Sequence, residues 1–326
     1  MPMQYGTVPG VEKTVSRLVQ GTVPLSSERE AESFALLDAT FEQGCRTYDT
    51  AHGYGAGDCE TVLGRWMTDR GNRDEIVVLG KGAHPYNGRE RVTPEDITAD
   101  LHESLARQQT DFIDIYVLHR DNPKLPVGPI VEVLNEHKRA GKIGVFGGSN
   151  WSAARIQEAN AYADANGLEP FRVSSPNFSL AVQIQPPWSG CLSVSGEQGA
   201  AERAWYQENG IPIFPWSSLA GGFFSGRFRR DNLDEFDAYL DKLCVTSYCS
   251  EDNFQRLDRV TAAAAHYGMT IPQVAMAYVM SQPLEVFALV GCRTGAEFAE
   301  NAAVLEQRLG EADLRWLDLR SDERPW

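Results

Sequence analysis

The chain has little that would carry it to a membrane or a nucleic acid. No apolar run approaches the ~20 residues that a spanning helix needs. The first residues, MPMQYGTVPG, show neither a basic n-region nor an apolar h-region, so no signal peptide is expected. Basic residues are outnumbered: 30 Lys and Arg face 45 Asp and Glu, for a net charge of -15 over 326 residues. That balance argues against non-specific nucleic-acid binding, which needs a basic surface, and a cytoplasmic location is expected. The six cysteines (Cys45, Cys59, Cys191, Cys244, Cys249 and Cys292) form no CxxC pair and no Cys/His spacing of a zinc site, so free thiols and no metal are expected. Low-complexity tracts, repeats and Gly/Pro/Ser-rich linkers are also missing, which predicts one domain over residues 1–326.

What is there is an alternation of short apolar runs with longer amphipathic ones. Candidate strands are Arg17–Gln20, Arg46–Asp49, Ile76–Gly80, Ile113–Leu118, Ile143–Gly147, Arg172–Ser174, Ile211–Pro215 and Val286–Val290. Their continuous apolar character suits parallel strands covered on both faces. Helical patterns fill 28–43, 60–69, 129–140, 153–165, 198–209, 252–267 and 296–308, and a further one covers 311–320. The third helix opens at Thr93-Pro94-Glu95-Asp96, a capping residue followed by Pro and acids. Eight strand–helix units predict a (β/α)8 TIM barrel with a C-terminal helical extension. A doubly wound sheet is the alternative, but the Gly-rich dinucleotide turn is absent after the first strand, where Gly21-Thr22-Val23-Pro24-Leu25 stands. Stretches 175–197 and 216–251 are too long for ordinary connections. Both follow strands, which puts them on the catalytic face of a barrel.

Ionisable residues recur at the ends of consecutive strands. Asp49 ends the second, with Tyr54 five residues on; Lys81 ends the third and His119 the fourth. Taken singly, each has an ordinary reading as a turn, loop or surface residue. Three apolar strands in succession that each end on an ionisable group are hard to explain by packing, and in a barrel these ends meet at one mouth. A phenol is a poor acid at neutral pH. A neighbouring Lys81 ammonium is expected to lower the Tyr54 pKa, Asp49 to hold Lys81 charged, and His119 to orient a carbonyl by a hydrogen bond.

On Asp49-Thr50-Ala51-His52-Gly53-Tyr54, Gly80-Lys81 and Leu118-His119 the sequence resembles the aldo-keto reductases, over nearly its whole length. Ser16-Arg17-Leu18, Glu60 with Leu63-Gly64, and Gly141-Lys142-Ile143 add to the likeness. The resemblance implies an NAD(P)H-dependent oxidoreductase that reduces an aldehyde or ketone, with Tyr54 as general acid and Asp49, Lys81 and His119 completing the catalytic set. It also implies cofactor contacts at Gly21, Thr22 and Asp49, and at Ser149 and Asn150, where Gly147-Gly148-Ser149-Asn150-Trp151 resembles the segment that holds the nicotinamide carboxamide. Trp216, Ser217, Leu219 and Gly221 fall in a loop similar to the one that wraps the pyrophosphate. Gly291, Arg293, Thr294, Glu297 and Asn301 match the adenosine-phosphate end.

The chain departs from the family pattern where a Gln and a Tyr usually bind the nicotinamide. Ser175 and Phe178 stand there, with Phe178 expected to stack on the ring. Arg293 and Thr294 suit a 2′-phosphate while Glu297 opposes one, so NADP(H) is favoured and NAD(H) stays open. Trp188, in a loop between prolines and glycine, reads equally as a substrate wall or as an anchor for its own loop. With Arg120, Asp121 and Trp151 it suggests a polar carbonyl compound such as a sugar or polyol derivative. Two further readings remain: a Schiff-base lyase using Lys81, and a redox-sensing, cofactor-binding regulatory subunit. The oligomeric state is not legible in the sequence.

Overall fold

Eight parallel strands close into a barrel in the computed structural model, which describes residues 3–326. They are β1 (Leu18–Gly21), β2 (Thr47–Asp49), β3 (Val77–Gly82), β4 (Ile113–Leu118), β5 (Ile143–Ser149), β6 (Val173–Ser175), β7 (212–215) and β8 (Ala288–Val290). Neighbours pair in sequence order, and β8 returns to β1 through Leu18 opposite Ala288 and Gln20 opposite Val290. β7 is the thinnest stave. The Phe214 amide donates to Ser174 at 2.8 Å on one side, and the Ile213 amide to Glu285 at 2.8 Å on the other. Pro212 and Pro215 have no N–H, which keeps this ladder short. The (β/α)8 barrel is thus the observed fold. The strands lie within two or three residues of the expected ends, and β3 and β5 run two residues further.

The strands bury both faces, and alternation sorts their side chains. Val77 and Leu79, Ile115 and Val117, Val145, Val173, Phe214 and Leu289 form one cluster inside the barrel. Tyr48, Val78, Tyr116, Leu118 and Phe146 belong to the outer layer under the helices. The period of two carries through to the strand ends: 77, 79 and 81 face one way, as do 115, 117 and 119, so Lys81 and His119 continue inward-facing rows.

Helices α1 (Glu30–Glu42), α2 (Asp58–Arg70), α3 (Pro94–Arg107), α4 (Val127–Arg139), α5 (Ala153–Ala165) and α6 (Ala200–Asn209) cover the outside. Thr93 caps α3, accepting from the Asp96 amide at 3.2 Å as its sequence suggested. Gly64 lets α2 approach the end of α3: a Cβ there would stand 2.6 Å from the Arg107 carbonyl oxygen. Three helices separate β7 from β8: α7 (Tyr239–Tyr248), α8 (Glu251–Tyr267) and α9 (Ile271–Met280). Neither α7 nor α9 was expected. Residues 274–280 are all buried, so α9 has no polar face to give it an amphipathic period, although Thr270 and Gln273 form a reciprocal capping box at its start. Helix α10 (Gly295–Ala302) stops six residues short of its expected end, and α11 (Glu311–Leu317) packs on α8.

A two-stranded hairpin, Tyr5–Gly6 with Val15–Ser16, was also unforeseen. Val8 and Val15 join the inner cluster, and a Cβ at Gly10 would meet Val145 at 2.8 Å. The hairpin therefore packs into the barrel core from the end opposite the mouth. No helix among the described residues is long and apolar enough to cross a membrane.

Candidate active site

The ends of β2, β3 and β4 place their ionisable groups together. Beyond β2 the chain stays attached to β3: the Thr50 amide donates to Leu79 at 2.9 Å and the His52 amide to Lys81 at 2.8 Å. It then folds back, with the Tyr54 amide donating to Ala51 at 3.0 Å. This turn brings the phenol over Lys81, whose Nζ lies 3.3 Å from the Tyr54 hydroxyl and 3.1 Å from the Thr50 carbonyl and forms an ion pair with Asp49. The His119 amide pairs with Gly82 at 2.8 Å, and its ring meets Tyr54 edge-on at 5.7 Å between centroids. The four groups expected to act together do meet.

Their charge states follow from burial and from one another. Lys81 is 2% exposed. Burial alone would lower its pKa, but Asp49, and then Tyr54, more than reverse this and hold the ammonium above its usual range. Burial pushes the Asp49 carboxyl up against the pull of Lys81. Tyr54 departs from expectation. Burial raises its phenol above the ordinary value, and Lys81 offsets only part of that rise, so at neutral pH the residue is held as an intact proton donor. Burial, aided by Lys81, His84 and Arg120, pushes His119 well below the usual histidine range. It is therefore a neutral imidazole, and its buried Nδ1 has no hydrogen-bond partner among the described residues. His84, which the sequence did not single out, packs edge-on against His119 at 4.7 Å.

The ends of β5 to β7 are arranged differently from the expectation. Asn150 sits in a left-handed conformation (φ 61°) and is a hub. Its amide nitrogen donates to the His119 carbonyl and to Ser149 Oγ, each at 3.1 Å, and its oxygen accepts from Leu192 N at 3.0 Å and Trp216 Nε1 at 3.2 Å. Ser149 Oγ donates to the Ser175 carbonyl at 2.8 Å. Ser175 itself has no accessible surface, and its hydroxyl donates to the Phe214 carbonyl at 2.7 Å. Phe178 corrects a sequence expectation. Its ring is fully buried between Tyr278 of α9 and the Arg203 guanidinium, so it offers no face for stacking. The half-buried ring at the mouth is that of Trp216, 6.3 Å from Trp188. Without α9 in view, nothing in the sequence showed that Phe178 had a partner behind it.

Of the groups offered as substrate contacts, Trp151 is also corrected. It is fully buried against Phe171 and donates to the Arg120 carbonyl at 3.0 Å. Asp121 is bonded to Arg155 at 3.2 Å. Trp188 is 41% exposed and donates to the Tyr239 hydroxyl at 3.0 Å, so it both lines the mouth and ties its loop to α7. Arg120 remains beside His119, its Nη1 donating to the His119 carbonyl at 2.8 Å.

Next to Asp49, Thr22 Oγ1 bonds Thr50 at 3.0 Å beside Gly21. The segment after β7 runs through left-handed conformations at Ser217, Ala220, Gly221 and Gly222, with Leu219 half-buried among them. Beyond β8, Gly291, Arg293, Thr294 and Glu297 are exposed. Thr294 caps α10 by accepting from the Glu297 amide at 3.2 Å, and Glu297 accepts from the Arg293 amide at 2.7 Å. Asn301 donates to the Glu297 carbonyl at 2.9 Å, and its buried oxygen has no partner among the described residues.

The model of the Aldo/keto reductase family matches residues 17–319. The chain is 27% identical to the aldo-keto reductase YhdN of Bacillus subtilis (strain 168) over 305 residues, covering 89% of this chain and 85% of that one. It is 27% identical to protein tas of Escherichia coli (strain K12) over 341 residues, covering 95% of each. Among solved structures, an aldo-keto reductase from Klebsiella pneumoniae in complex with NADPH superposes with a TM-score of 0.72 at 22% identity, covering 100% of this chain and 98% of that one. This last likeness is one of fold.

Proposed function

The chain belongs to the aldo/keto reductase family, and from that premise we propose that it reduces an aldehyde or ketone with hydride from NADPH, Tyr54 giving the proton. The observation that carries the reading is the contact of the Tyr54 hydroxyl with Lys81 Nζ at 3.3 Å, with Asp49 on the other side of the ammonium. Burial keeps the phenol protonated until a carbonyl oxygen gains charge. As that charge develops, the proton on the Tyr54 oxygen moves to it, and Lys81 stabilises the phenolate left behind. A neutral His119 beside Tyr54 suits a hydrogen bond to the same carbonyl rather than a competing charge. Positioned acid catalysis of this kind typically supplies ~10²–10⁴-fold.

The residues present fit a nicotinamide dinucleotide. Left-handed residues at Ser217, Ala220, Gly221 and Gly222 fold the segment after β7 into tight turns, backbone of the kind that can form an anion concavity for a pyrophosphate. Arg293 and Thr294 are exposed for a 2′-phosphate. Glu297 opposes a phosphate less than its charge suggests, because one carboxylate oxygen is held by the Arg293 amide. Trp216 supplies the ring face that Phe178 does not. When bound, the cofactor supplies the hydride; this chain holds it and aims the carbonyl. The solved relative's NADPH agrees with this choice of cofactor. A Schiff-base lyase would need a neutral Lys81 amine, and Asp49 favours the ammonium.

The test is Tyr54→Phe. Turnover of a panel of carbonyl compounds should fall at least about 100-fold, while NADPH affinity, read by fluorescence titration, stays within a few-fold. Turnover that survives the substitution removes Tyr54 from the role of acid.

A further inference from the structure

Four lysine and arginine side chains are buried among the described residues, and three of them have a carboxylate. Lys81 pairs with Asp49, Arg155 with Asp121 at 3.2 Å, and Arg256 faces Asp318 at 3.7 Å. Arg120 is 5% exposed and, among the described residues, has no carboxylate at ion-pair distance. Burying a charge without a counter-charge is costly, so an unpaired buried guanidinium needs a reason.

Two of its five N–H groups are used. Nη1 donates to the His119 carbonyl at 2.8 Å and Nε to the Ser189 carbonyl at 3.1 Å. The other three meet no acceptor among the described residues, and Nη2, which carries two of them, is not a sealed atom and remains reachable. Its place is defined by what it acts on. Its charge bears on Tyr54, His119, His84 and Cys191, all at the mouth. The carbonyl contacts hold the guanidinium plane between the end of β4 and the loop that carries Trp188. Nearby histidines do not supply a competing positive charge, since burial lowers the pKa of both.

We infer that Arg120 is the receptor for an anionic group on the substrate, and that the preferred carbonyl compounds carry a carboxylate. The inference rests on the carbonyl-reductase reading of this site. It replaces the sugar or polyol expectation, two of whose supports, Asp121 and Trp151, are engaged elsewhere. The free N–H groups form part of a planar fork that matches a carboxylate, and Trp188 and Trp216 flank the approach with aromatic faces. On a chain of net charge -15, a fixed local cation also gives an anion a reason to enter.

The experiment compares two ligands of one shape, benzoate and benzamide, by isothermal titration of the whole protein, alone and with NADP+ present. Wild type should bind benzoate about 10- to 100-fold more tightly than benzamide, the range of a charge-assisted pair. Arg120→Met should bring that ratio to about 1, and Arg120→Lys, which keeps the charge but not the fork, to an intermediate value. A wild-type ratio near 1 overturns the inference. So does an unchanged ratio in the Met variant, which would show that Arg120 only anchors the Ser189 loop. If the Met variant does not fold, an unchanged ratio in the Lys variant decides the same question. Failure to reduce any carbonyl with NADPH would count against the proposed function, whereas the benzoate ratio is read without turnover.

Discussion

Removing the carboxylate from beneath Lys81 should unfold the protein more readily, and the size of the effect can be worked out. Asp49 and Lys81 are both buried, and Lys81 is the only side-chain partner of Asp49 among the described residues. In Asp49→Asn the ammonium must either stay charged without a counter-ion or lose its proton. Giving up a proton at about pH 7.5 from a group of pKa near 10.4 costs about 4 kcal/mol, which caps the loss from charge. Lys81→Met leaves Asp49 to take up a proton from a reference near 3.9, a cap of about 5 kcal/mol. Both agree with the ~3–5 kcal/mol usual for breaking a buried pair. The double variant has neither charge and should lose only about 1–3 kcal/mol, for one polar group left short of partners. Urea unfolding of the four proteins closes the cycle, with a coupling of several kcal/mol. The pH dependence gives a second check. Wild-type Lys81 has a raised pKa, so its contribution is present below the unfolded value and lost as pH rises through the folded one. Without Asp49 the folded pKa is depressed, and stability recovers as pH rises toward about 10.4. The gap between the proteins should therefore narrow in alkali. Additive single losses, or a gap that widens, would refute the reasoning.

Packing and charge lead to two more outcomes, beside those for Tyr54 and Arg120. His119 is depressed well below its unfolded value near 6.5, so the unfolded chain binds the extra proton first; stability should fall as pH drops below about 6.5, and His119→Gln should flatten part of that slope in urea titrations. A slope identical to wild type would mean that His119 does not titrate as described. In Gly147→Ala the new Cβ would stand 1.9 Å from the Val173 carbonyl oxygen, forcing β5 from β6. A loss of at least about 1–3 kcal/mol is expected, and an unshifted thermal midpoint would show that the strands can part without cost.

The proposed catalytic set was legible because two independent regularities coincide in it. Apolar runs marked β2, β3 and β4, and the alternation within each carried Asp49, Lys81 and His119 to one side without knowledge of any contact. Cofactor and substrate contacts were less legible because they depend on what lies behind each side chain. Ser175 and Phe178 stand where the resemblance suggested cofactor contacts and Trp151 where a substrate contact was expected, but Phe214, Tyr278 and Phe171 respectively occupy them. The N-terminal hairpin was invisible for a simpler reason: strands of two residues carry no period.

Strand order and residue parity, which are properties of the chain alone, determined that a carboxylate, an ammonium and an imidazole would share one barrel mouth, with the expected acid, Tyr54, five residues beyond the first of them in a turn that the fold directs. Only the tertiary structure decided which way the phenol's pKa moves, because burial and Lys81 pull it in opposite directions and their balance depends on surrounding atoms far away in sequence. The same holds for Arg120. Its charge is written in the sequence, but that it lies buried with no acid beside it is a fact of three-dimensional packing.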